Sequence, residues 1–125
     1  MTTGRKYLYL NSQNEFYRLD ISKIIYFQAD GNYTRFRLIN KEEKIVSVSL
    51  ANMERAIASS LGEDASIFAR TGKQFIINLN YVYHIQINKK LLVLSNGATF
   101  AYGLHISREA LKQLREMYVK SAEKK

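Results

Sequence analysis

Residues 66–79 read SIFARTGKQFIINL and set a polar loop, Arg70-Thr71-Gly72-Lys73-Gln74, between two apolar runs. Two cations and an amide side chain so close together can meet a polyanion or the edges of bases. Arg70 and Lys73 suit phosphate oxygens or guanine O6 and N7, and Gln74 suits adenine. The Thr-Gly-Lys order also ends like a nucleotide-binding P-loop. That motif needs glycine where Ile67 stands, Ser or Thr where Gln74 stands, and a helix next. Phe75-Ile76-Ile77 reads as a strand, so the P-loop is excluded. An ordinary solvated turn, in which Gly72 serves the backbone, is the alternative to a contact loop.

Two other stretches carry comparable groups. Asp30-Gly31-Asn32 has the composition of a hairpin turn, and it offers too few oxygens for calcium. Arg35 and Arg37 follow two apart on a strand, on one face. They suit a polyanion or cross-strand ion pairs with Glu42 or Glu43. Residues 102–109, YGLHISRE, lead into the last helix. Ser107 suits its N-cap, while His105 and Arg108 flank a helix end whose free N–H groups and dipole favour phosphate.

Catalysis finds little to work with. A nucleophile needs a base beside it, and paired carboxylates need a cleft. Neither His84 nor His105 has an evident Ser or Asp partner, and the acids lie in polar segments. With two histidines and no cysteine, zinc is improbable chemistry and disulfides are excluded. The expectation is no enzyme, no metal and no cofactor.

Charge sharpens the picture. Net charge is +8, and it is unevenly spread. Residues 1–64 hold nine Lys/Arg against eight Asp/Glu, whereas residues 65–125 hold ten against three. Between Asp64 and Glu109 there is no carboxylate, while Arg70, Lys73, Lys89, Lys90 and Arg108 all lie there. Such a surface either is simply solvated or meets phosphates, each of which releases counterions when neutralised. With 125 residues, 46% of them apolar, one domain with a sizeable core is expected. No apolar run has the length of a membrane span or follows the first residues as a signal peptide would. No membrane partner is expected, and the location expected is cytoplasmic.

Most of the chain reads as short strands around these loops. Tyr7–Leu10, Glu15–Leu19, Ile24–Ala29, Tyr33–Ile39, Lys44–Val48, Phe75–Asn78, Tyr81–Ile87, Leu91–Leu94 and Thr99–Tyr102 are strand-like. Asn96-Gly97 gives the strongest hairpin signal. Thr34, Phe36 and Leu38 alternate with Tyr33, Arg35 and Arg37, the period of a half-buried strand. Leu50, Met53, Ile57 and Leu61 recur at helical spacing between a Ser49 cap and a Gly62 stop. A second helix starts after Ser107, with Ile106 and Leu111 as its hydrophobic staple, and frays beyond Tyr118. With no pair of adjacent helices, helix-turn-helix reading is excluded, and loops must do the reading.

The order of these motifs resembles the LytTR domain, the DNA-binding output domain of bacterial LytR/AlgR/AgrA-type response regulators. DISKIIYFQADGNYTRFRL (20–38) is similar to the family's opening strand pair, and LANMERAIASSL (50–61) to its helix. FARTGKQFIINLNYVYHI (68–85) is similar to the Phe-x-Arg-x-His-Arg-Ser-Tyr signature and the strand after it, and LLVLSNGATFAYGLHIS (91–107) to the closing hairpin. Gly72 replaces the signature His, and Gln74 the Ser. Gly103-Leu104 replace the Ser-Arg that often ends the hairpin, leaving His105 or Arg108 to substitute. Coverage runs over about 7–118, with 119–125 as a frayed tail.

The resemblance implies a mostly β fold, an elongated set of small antiparallel sheets of about ten strands with one internal and one C-terminal helix. It implies double-stranded DNA as partner, read in the major groove by loops 30–35, 70–74 and 103–108. Base contacts would fall near Asn32 or Thr34, on Lys73, and near Leu104 and His105, with Gln74 a further candidate. Arg35, Arg70, Lys73 and Arg108 would position on phosphates. A homodimer on paired repeats is also implied, as is bending of the DNA. A receiver domain is lacking here, so the chain is either a piece of a longer regulator or a stand-alone one. The competing expectation is a β-rich module for single-stranded nucleic acid, protein or acidic surfaces. It would use exposed members of Tyr17, Tyr26, Tyr33, Tyr81, Tyr83 and Tyr102.

Overall fold

Alternation and apolar runs become ten strands and two helices among residues 6–123, which the computed structural model describes. The order is β1 (Tyr7–Asn11), β2 (Phe16–Asp20), β3 (Ile24–Asp30), β4 (Tyr33–Leu38), β5 (Glu43–Val46), α1 (Leu50–Leu61), β6 (Phe68–Thr71), β7 (Phe75–Asn78), β8 (Val82–Gln86), β9 (Leu91–Ser95), β10 (Ala101–His105) and α2 (Arg108–Glu123). All strand pairs are antiparallel. They form a ribbon β1-β2, a sheet β5-β4-β3-β7-β6 and a sheet β10-β9-β8.

The five-stranded sheet lies between two cores. Ile24, Phe27, Phe36 and Ile76 face the ribbon and α1, meeting Leu8, Leu10, Met53 and Ile57. Ile25, Tyr26, Phe75 and Ile77 face the three-stranded sheet and α2, meeting Leu92, Leu94, Leu111 and Leu114. A strand covered on both faces needs apolar residues at successive positions rather than alternate ones. That is why β3 and β7 are continuous apolar runs, while β4, with Thr34 and Phe36 buried, alternates. Asn78 ends β7 wholly buried. Its amide donates to Ile24 O at 2.9 Å and its side-chain oxygen accepts from Asn80 N at 2.9 Å, so neither is left unpaired.

The helix limits follow local chemistry. Ser49 Oγ accepts from Asn52 N at 3.2 Å, and Gly62 ends α1 at φ +55°. Ser107 Oγ accepts from Ala110 N at 3.2 Å, with Ile106 and Leu111 both buried. Strand β6 is not among the expected strands, several strand ends shift by one to three residues, and two boundaries differ for a clear local reason. Helix α2 continues past Tyr118 to Glu123 because nothing in VKSAE breaks a helix; residues 124–125 of the expected frayed tail, like residues 1–5, lie outside the described residues. Asn96-Gly97 does not make a two-residue hairpin. Asn96 Oδ1 accepts from Ala98 N and Thr99 N at 3.0 and 2.8 Å, and Ser95 Oγ accepts from Gly97 N and donates to Phe100 O. These side-chain bonds stabilise a longer loop over 96–100 and start β10 at Ala101.

Candidate nucleic-acid interface

Sheet register places the first two loops side by side. Strands β3 and β7 are antiparallel neighbours with Gln28 opposite Phe75. The end of β3 therefore meets the start of β7, and Ala29 N donates to Gln74 O at 2.8 Å. The turn at Gly31-Asn32 and the turn at Gly72-Lys73-Gln74 leave the same end of the sheet. The third loop joins them from the other sheet: Thr71–Phe75 and His105–Ser107 line one groove of about 270 Å³. Segments far apart in sequence thus converge on one end of the molecule.

Within the central loop, the parts differ in role. Gly72 has φ +71°, a conformation L side chains rarely adopt, and a Cβ there would meet Ile106 Cγ2 at 3.8 Å and Ala110 Cβ at 3.9 Å. A side chain at 72 would start toward α2. Arg70, Lys73 and Gln74 are all exposed. Arg70 is also engaged within the protein. Its guanidinium donates to Lys73 O at 2.8 Å and to Glu54 Oε1 of α1 at 3.0 Å.

The other predicted positions separate in the same way. Asn32 is exposed on its turn. Thr34 is not a surface residue: it is wholly buried and its hydroxyl donates to Val48 O at 2.6 Å. The inward face of β4 claims it, which corrects its place among the expected base contacts. Leu104 is likewise part of the core, and His105 beside it is exposed. Arg35 donates to Asp30 Oδ2 at 2.8 Å and Glu43 Oε1 at 3.2 Å. The hydrogen bond and charge of Asp30, above all, hold this guanidinium more firmly protonated than usual. Arg37 meets Glu43 at 3.3 Å and lies over the Tyr102 ring. The cross-strand alternative thus describes both arginines, with Glu43 as the shared acid.

Lys73 and Arg108 are exposed and take part in no ion pair among the described residues. The same holds for Lys89 and Lys90, in the β8–β9 turn, where Lys90 O accepts from Ile106 N at 3.0 Å. Sequence placed these two lysines in the acid-free stretch but not at the interface. Only the β9–β10 register, with His105 opposite Leu91, brings them beside the third loop.

The tyrosines sort less favourably for single strands. Tyr26 packs on Phe75 and Tyr102, and Tyr81 on Phe100. Tyr33 and Tyr83 are exposed. Among the described residues no group of three or more His, Cys, Asp or Glu could hold a metal ion, and no helix is long and apolar enough to cross a membrane.

A β scaffold thus gathers basic and amide-bearing loops at one end of the domain. The chain belongs to the LytTR DNA-binding domain family, whose model matches residues 14–118. It is 26% identical over 107 residues to the heme-containing CO-sensing transcriptional regulator RcoM 1 of Paraburkholderia xenovorans (strain LB400). That match takes in 84% of this chain and 37% of the relative, so the chain spans little more than a third of that protein's length. In structure it resembles a LytTR DNA-binding domain from Bacillus cereus, with a TM-score of 0.60 and 20% identity over 92% of this chain and 98% of the other.

Proposed function

We propose that this domain recognises a specific sequence in double-stranded DNA through loops in the major groove and acts in transcription regulation in the bacterial cytoplasm. The convergence of the three loops at one end of the sheets carries this reading. Asn32, Lys73, Gln74 and His105 read base edges, and Arg108 holds phosphate. Lys73 can serve either, since its ammonium is exposed and in no ion pair among the described residues. Arg35 and Arg70 act by keeping their loops in place, because carboxylates already occupy them. A dimer on paired repeats, and a receiver domain or other sensor in the same regulator, fit a domain of this family; the relative in Paraburkholderia is a transcriptional regulator much longer than this chain.

Selection of bound duplexes from a random pool tests the reading. An enriched motif is the expected outcome; binding without enrichment rules out sequence-specific reading. On the selected site, Lys73→Ala should weaken binding by roughly 1–3 kcal/mol if Lys73 reads a base. Competition with a single-stranded oligonucleotide of the same sequence should leave the duplex preferred, and the opposite result would favour the single-strand reading.

A further inference from the structure

We propose that the β8–β9 turn, through Lys89 and Lys90, is a fourth contact element that grips the phosphate backbone beside the three reading loops. The inference rests on the duplex-binding reading above and adds an element to it. Turn 87–90 is closed by Lys90 N donating to Ile87 O at 3.1 Å, and Lys90 holds the left-handed φ of +53°. Its carbonyl accepts from Ile106 N at 3.0 Å, so the turn is tied by backbone to the very residue that lines the groove opposite Thr71–Phe75. Both ammonium groups are exposed, and neither has an acidic partner among the described residues.

Charge distribution argues in the same direction. The cations of the first two loops, Arg35 and Arg70, are neutralised by Asp30, Glu43 and Glu54. A duplex resting on these loops therefore finds its uncompensated positive charge on Lys73, Arg108 and this lysine pair. Flexible ammonium groups on a turn match phosphate oxygens as point charges rather than base edges as forks. The expected contribution is thus affinity without sequence preference.

The double substitution Lys89→Gln/Lys90→Gln keeps both side-chain stems and removes two charges. Lys23 and Lys41, exposed at the opposite end of the sheet, supply a matched control. Lys41 is also left-handed, at φ +76°, so backbone strain is matched too. Binding of the selected duplex and of a scrambled duplex is measured as a function of salt. The lysine-turn variant should reduce the slope of log affinity against log salt by about 0.9 per lysine. It should lower affinity for both duplexes by the same factor, while Lys23→Gln/Lys41→Gln leaves the slope in place. An unchanged slope in the lysine-turn variant, or an equal fall in the control, overturns the assignment while leaving duplex binding standing. Wild-type protein that binds no duplex at any salt refutes the function proposed above and the turn's role with it.

Discussion

The Arg70 guanidinium donates to the carbonyl oxygen of Lys73 at 2.8 Å, bracing the loop from within. Its other arm reaches Glu54 on α1 at 3.0 Å, so the loop is tied to a helix in the opposite core. A planar donor fork suits such a double engagement, and lysine could not reproduce it. Arg70→Ala is expected to weaken duplex binding by about 1–2 kcal/mol through loss of loop order. The salt slope should hardly change. A slope reduced by about one would instead make Arg70 a phosphate contact.

Thr34 tests the distinction between face and sequence. Its hydroxyl donates to Val48 O inside the fold. Thr34→Val keeps the shape and removes the donor, so the denaturation midpoint should correspond to a loss of about 1 kcal/mol. The folded variant should bind duplex as the wild type does. A loss of binding at unchanged stability would return Thr34 to the interface.

Gly72 stands where the family signature has histidine, but its backbone does not welcome one. At φ +71°, Gly72→Ala should cost about 1–2 kcal/mol in thermal or chemical denaturation. Gly72→His should be at least as costly and should gain no DNA affinity, because its side chain starts toward Ile106 and Ala110. Tighter, more selective binding by the histidine variant would contradict this.

Two phenols should make stability depend on alkaline pH. Burial, then the charge of Asp20, pushes Tyr81 up, and burial pushes Tyr118 up. Both hydroxyls donate to backbone oxygens, Tyr81 to Ser22 and Tyr118 to Leu79. The fold thus favours the protonated phenol. This stabilisation is whole below the unfolded value of about 10 and is lost as pH rises through the higher folded values. Stability measured from pH 8 upward should fall on the alkaline side, and Tyr81→Phe/Tyr118→Phe should flatten that fall while lowering stability at neutral pH. An equally steep fall in the double variant would remove these two groups as its cause.

Much of the architecture is written in local pattern. Ser49 and Gly62 bound α1 because a hydroxyl cap and a positive-φ glycine act on their immediate neighbours. Phe75-Ile76-Ile77-Asn78 has the composition of a strand covered on both faces, and it is one. The Asn96 loop escaped the pattern because one side-chain oxygen collects three nearby N–H groups and outcompetes the tight turn. Order of motifs pointed to the family and to the three loops, two of which lie in the acid-free stretch.

Sequence by itself determined the β-rich fold, the basic second half and the identity of the residues available for contact. Tertiary structure decided how exposed each of them is and which protein groups it already meets. Thr34 was withdrawn by the burial of one strand face, and Arg35 and Arg70 were claimed by carboxylates on other elements. Lys89 and Lys90 were brought beside His105–Ser107 by strand register. Propensity, capping and alternation act within a few residues, so they can be read along the chain. Ion pairing, burial and the meeting of loops depend on where distant segments come to lie, which packing of the two cores against a shared sheet settles.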